Sequence, residues 1–101
     1  MSDLPIACTL DPETLNIRRE GLLRKVVELA LQREATDNGY RLTFAASDEA
    51  LALIARTISA ERRCCRFLRF TLTVEPDEGP IYLDLTGPAG TGEFLSGLLD
   101  L

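Results

Sequence analysis

Histidine is missing from all 101 residues, and this one absence removes much ordinary enzyme chemistry. Cys-His nucleophilic pairs, Ser-His-Asp triads and zinc sites built on imidazole each need a side chain the protein does not have. Long apolar runs are missing too: no stretch approaches the roughly 20 residues that a bilayer span requires. The first residues, Met1-Ser2-Asp3-Leu4-Pro5-Ile6-Ala7-Cys8, contain neither a basic region nor an extended apolar one, so no secretion signal is expected. Positive charge is in short supply, with 11 Lys and Arg against 16 Asp and Glu and a net charge of −5. That balance argues against nucleic acid or an anionic membrane as the main partner. Cysteine is limited to three, an odd number. Without a secretion signal, three cysteines point to thiols kept reduced in the cytoplasm rather than to a disulfide framework.

What is present suffices for one compact domain over residues 1–101, since 46% of the residues are apolar. Residues 1–10 read as an extended arm or edge strand carrying Cys8, with Pro5 near its start. Asp11-Pro12-Glu13 has the composition of a helix start, and the helix is expected to run to about Leu31. Its apolar stripe is Leu15, Leu22, Leu23, Val26, Val27, Ala30 and Leu31. Residues 33–37 and 40–45 then read as a β-hairpin around Asn38-Gly39, the dipeptide suited to the positive φ angles of a type I′ turn. Ser47-Asp48-Glu49 caps a second helix to about Arg63, with Leu51, Ile54, Ala55 and Ile58 inward.

A second hairpin follows. Leu68, Phe70, Leu72 and Val74 alternate with polar residues, Pro76 to Pro80 makes the turn, and Ile81, Leu83 and Leu85 alternate again. Gly87 to Gly92 is glycine-rich but lacks the lysine and spacing of a phosphate loop, so it reads as a loop before a short helix over 91–101. The sum is an α+β, two-layer fold: an antiparallel sheet of about four strands in two hairpins, covered by two main helices and a short C-terminal one. The alternative adds residues 6–10 to a mixed sheet as a full strand.

Chemistry concentrates in Glu61-Arg62-Arg63-Cys64-Cys65-Arg66-Phe67. Neighbouring side chains point about 100° apart on a helix and to opposite faces on a strand, so one of two adjacent cysteines is directed away from the packing. A vicinal disulfide would strain the intervening peptide, which leaves a reduced pair, a soft-ion ligand pair or a redox pair. Continued along the helix, the inner stripe reaches Cys65 seven residues after Ile58 and Glu61 three residues after it. Glu61 lies three and four residues before the two cysteines, close enough for its carboxylate to approach both thiols. Thiolates select soft ions such as Hg(II), As(III) and Cu(I), and Cys8 would be the third ligand if the arm docks beside the pair. Its sulfur is then expected within roughly 4–5 Å of Cys64 or Cys65. Zinc would need a fourth donor; Glu61 could supply it, but with no histidine and only three thiols a closed structural zinc site is disfavoured.

Plainer readings stand beside these. Free cysteines often pack simply as small hydrophobes, Arg62, Arg63 and Arg66 suit a solvated helix end, and Glu61 suits a surface ion pair with one of them.

In its motifs the chain resembles a family of small bacterial proteins. These begin near an Ala-Cys-Thr-Leu segment, here Ala7 to Leu10. They carry Glu-x-x-Cys-Cys-x-Phe-x-x-Phe, here Glu61 to Phe70, and end in Gly-Pro-x-Gly-Thr, here Gly87 to Thr91. The resemblance covers nearly the whole chain. Members are often associated with heavy-metal response genes, which implies mercury- or arsenic-related thiol chemistry. One departure is Arg66, where the family usually has the helix-stopping Pro.

The resulting expectation is a cytoplasmic protein that binds a soft metal or metalloid ion through Cys64, Cys65 and Cys8, with Glu61 handling protons or supporting the ligands. A second expectation is an enzyme for thiol redox or organometal cleavage, with Glu61 as proton donor. A third is an interaction module whose cysteines only pack and whose exposed apolar edge forms a homodimer.

Overall fold

A computed structural model describes residues 19–99 and 101, and for residues 19, 20 and 64 the backbone alone. The expected helix start at Asp11, the arm and Cys8 lie outside the described residues.

The first described element is a π-helical turn, Arg19–Leu23, that passes into helix α1, Arg24–Leu29. Leu23, Val26 and Val27 are buried, as the stripe requires. The helix stops at Leu29 rather than Leu31, because Ala30 is already extended and the Leu31 N–H donates to the Thr43 carbonyl at 2.7 Å. Sheet pairing therefore takes over where helical spacing still continues, and Leu31 is left 69% exposed.

Four strands follow the expected pattern: β1 Gln32–Thr36, β2 Gly39–Phe44, β3 Arg69–Val74 and β4 Ile81–Thr86. They form one open antiparallel sheet in the order β1-β2-β4-β3. Each hairpin thus contributes its second strand to the centre. Leu42 pairs with Leu83, Phe44 with Ile81 and Tyr40 with Leu85. Leu42, Phe44, Ile81, Leu83 and Leu85 are at most 1% exposed, at about 1.5–3 kcal/mol of transfer free energy for each such side chain. They point to the helical side of the sheet. The other side presents Arg41, Thr43, Tyr82 and Asp84, all only partly covered. There Arg41 makes a two-point bond to Asp84, at 2.8 and 3.1 Å, directly across the ladder, and its guanidinium lies 4.7 Å from the Tyr82 ring centre. The bond to Asp84 raises the Arg41 pKa further above its already high value.

Helix α2, Asp48–Cys64, is capped by Ser47, whose Oγ accepts the Ala50 N–H at 2.9 Å. Its fully buried positions are Ala50, Ile54, Thr57 and Glu61. Ala55, expected inside, is exposed, and Leu51 and Ile58 only flank the buried line. Helix α3, Thr91–Leu99, buries Leu95 and Leu99 in the same core. With α1 and α2 it completes the helical layer of the α+β fold.

The left-handed turn falls in the second hairpin and not in the first, where Asn38-Gly39 suggested it. The first turn is Asp37-Asn38, with Thr36 paired to Gly39, and neither Asn38 nor Gly39 has positive φ. Gly39 is needed for space instead, since a Cβ there would overlap the Leu85 carbonyl of the neighbouring strand. Left-handed residues occur in the second hairpin at Asp77 (φ 63°) and Glu78 (φ 57°), where the Gly79 N–H closes onto the Pro76 carbonyl at 3.1 Å. This is the type I′ pattern, formed without Asn or Gly at its centre.

Two outcomes follow for denaturant unfolding. Gly39→Ala is expected to lose about 3 kcal/mol, because the neighbour it meets is backbone and must shift. Glu78→Gly is expected to gain about 0.5–1 kcal/mol, since glycine occupies the left-handed region without a Cβ clash.

Candidate thiol-carboxylate site at the end of helix α2

Three residues after its last apolar core position, helix α2 turns polar on its buried side. Thr57 settles locally, its hydroxyl donating to the Leu53 carbonyl at 2.8 Å. Glu61 does not settle in this way. Its side chain is 0% exposed, which overturns the reading of a surface ion pair with a nearby arginine. Arg62, Arg63 and Arg66 are all exposed. Cations in the last turn suit the negative end of the helix dipole.

The helix ends at Cys64, and Cys65 leaves it with φ −109° and ψ 76°. No proline is needed for this. Phe67 and Leu68 are buried in the core, the Leu68 N–H closes a turn onto the Cys65 carbonyl at 3.0 Å, and the chain then enters β3. The Cys65 N–H still donates to the Glu61 carbonyl at 2.7 Å, so the two residues keep their spacing of one helical turn.

The side chains meet as the spacing suggests. Cys65 is 1% exposed, and its Sγ donates to Glu61 Oε1 at 3.7 Å. Glu61 Oε2 is buried and has no hydrogen-bond partner among the described residues. Cys65 also belongs to the hydrophobic core, alongside Phe67 and Leu68. Phe67 in turn meets Phe94 of α3 edge to face, with ring centres 5.3 Å apart.

The structure therefore joins Glu61 to Cys65. The Cys64 side chain and Cys8, with its expected approach to the pair, lie outside the described residues. Among the described residues, no three of Cys, Asp and Glu gather as ligands for a metal ion. Likewise, among those residues no helix is long and apolar enough to cross a membrane.

Sequence reasoning did not single out Thr57. Its signal was available, because Ala50, Ile54, Thr57 and Glu61 recur at intervals of four and three, and only the polar character of the last two hides the stripe.

A buried carboxylate oxygen without a partner costs stability. Glu61→Met, of similar size and without oxygens, is accordingly expected to stabilise the reduced, ion-free protein by about 1–3 kcal/mol in denaturant unfolding. A loss of similar size would instead make the carboxylate part of the scaffold.

Compared with protein-family models, with curated proteins and with solved structures, the chain finds no match in any of the three, so its chemistry rests on these residues.

Proposed function

We propose that the protein binds a soft metal or metalloid ion, Hg(II), As(III) or Cu(I), through the thiolates of Cys64 and Cys65, with Cys8 as third ligand. The observation that carries this reading is the buried contact between Cys65 and Glu61, whose second oxygen has no hydrogen-bond partner among the described residues. A core that only needed a small apolar residue at position 65 would be better served by an apolar one at 61. The adjacent cysteines, the absence of histidine and the motif resemblance support the same reading. Reduced thiols in a cytoplasmic setting are part of the proposal.

The same contact favours a second reading, an enzyme for thiol redox or organometal cleavage. In it one cysteine captures the substrate and Glu61 delivers a proton. Turnover separates the two: stoichiometric capture supports binding, and repeated product release supports catalysis. Burial of Cys65 supports the third reading, in which its thiol simply packs.

The test is titration of the reduced protein with Hg(II), As(III) and Cu(I) against a competing small dithiol. Binding tighter than the competitor is expected, with loss in the Cys64→Ser, Cys65→Ser double variant and a smaller loss in Cys8→Ser. Affinity no better than the dithiol, or unchanged in the double variant, refutes the proposal.

A further inference from the structure

Strand β3 carries an apolar row that the helical layer does not cover. Phe70, Leu72 and Val74 pair across the ladder with Leu85, Leu83 and Ile81, and so lie on the helical side of the sheet. Leu85, Leu83 and Ile81 are at most 1% exposed, whereas Leu72 and Val74 are 39% and 53% exposed. Among the described residues β3 is also an edge, with β4 as its one neighbour. Next along the chain, the Glu75 N–H donates to the Pro80 carbonyl at 3.2 Å. Backbone groups alternate between the two sides of a strand, so Thr71 and Thr73 turn theirs to β4 as Glu75 does, while Phe70, Leu72 and Val74 turn theirs outward. Edges are ordinarily blunted by charge, proline or shortness. β1, the other edge, follows that rule with Arg33 and Glu34 inside its five residues. β3 does not: between Arg69 and Glu75 lie Phe70, Thr71, Leu72, Thr73 and Val74, without charge or proline.

We infer that the outer edge of β3 is an interface whose partner is a second copy of this chain, added antiparallel about a twofold axis so that two sheets join into one. This does not rest on the thiolate reading. A second copy is selected because β3 is complementary to itself. With Leu72 set opposite Leu72 of the second copy, Phe70 faces Val74 on the helical side and Thr71 faces Thr73 on the other, each twice by symmetry. Arg69 then stands opposite Glu75 at both ends of the seam. Both side chains are exposed, and neither makes an ion pair among the described residues. The same register brings the outward N–H and C=O groups of Phe70, Leu72 and Val74 together, each facing pair exchanging both bonds. A slip of one residue sets each apolar side chain against a polar one and the outward backbone groups against inward ones. A shift of two keeps the faces but parts Arg69 from Glu75.

The test is sedimentation velocity of the full-length reduced chain over a wide concentration range, with amide hydrogen exchange alongside. Wild type is expected to dimerise. The Phe70, Leu72 and Val74 amides should gain protection as concentration rises, while those of Thr71 and Thr73, already bonded to β4, should be protected throughout. Leu72→Lys sets two like charges against each other, and Arg69→Glu or Glu75→Arg alone does the same at both ends of the seam. Each is expected to weaken the dimer roughly tenfold. Combining Arg69→Glu with Glu75→Arg restores opposite charges and should restore the dimer, which a merely structural role of either residue would not do. Circular dichroism follows the fold, and should Leu72→Lys not fold, the two exposed charge positions still decide. A monomeric wild type overturns the inference, whatever else covers β3. So does a dimer that Leu72→Lys and the single reversals leave intact, or one that the double reversal fails to restore.

Discussion

The seam between β2 and β4 holds this structure together. Each hairpin is local and buries little by itself, because its outer strand is an edge: β1 is exposed along its whole length, and Leu72 and Val74 of β3 remain 39% and 53% exposed. The apolar rows of β2 and β4 become a continuous buried surface only when the second strands of the two hairpins pair. That pairing demands close approach at Gly39, beside the Leu85 carbonyl. It also decides where α2 lies, since the helix is the connection between the two hairpins and its Ala50 and Ile54 pack into the shared core.

Once α2 is laid over the sheet, its buried line continues to the last turn whether or not the residues there are apolar. Thr57 meets this by bonding within the helix. Glu61 makes no such bond to its own helix, and among the described residues its carboxylate accepts from Cys65, just past the helix end. A fold selected for stability alone would place an apolar residue at 61. Burial of the carboxylate therefore breaks a local rule at a cost to the scaffold. The turn at 65–68 then carries Phe67 and Leu68 into the core and fixes the thiol from the other side.

The hairpin turns show how local preference yields to the ladder. Asn38-Gly39 has the composition of a type I′ turn, yet the register of β1 on β2 draws Gly39 into the strand and leaves Asp37-Asn38 to turn the chain. Asp77-Glu78 lacks that composition and still adopts left-handed φ, because the six matched pairs of β3 and β4 leave a short connection to close. The end of α1 two residues early, at the Leu31–Thr43 bond, follows the same logic.

Period and punctuation were enough to read most of the elements from the chain itself. The alternation of Leu68 to Val74 and of Ile81 to Leu85, the Ser47 cap and the stripe through Ile54 each reflect a side chain's relation to its own backbone, which needs no distant partner. The nearness of Glu61 to Cys65 was legible for the same reason, as a spacing of four along one helix. Whether that carboxylate lay in water or in the core was not, and neither were the meeting of β2 with β4, the exposure of Ala55 nor the handing of the left-handed turn to Asp77-Glu78. Each of these depends on what packs against the residue from a remote part of the chain, and only the assembled core supplies that neighbour.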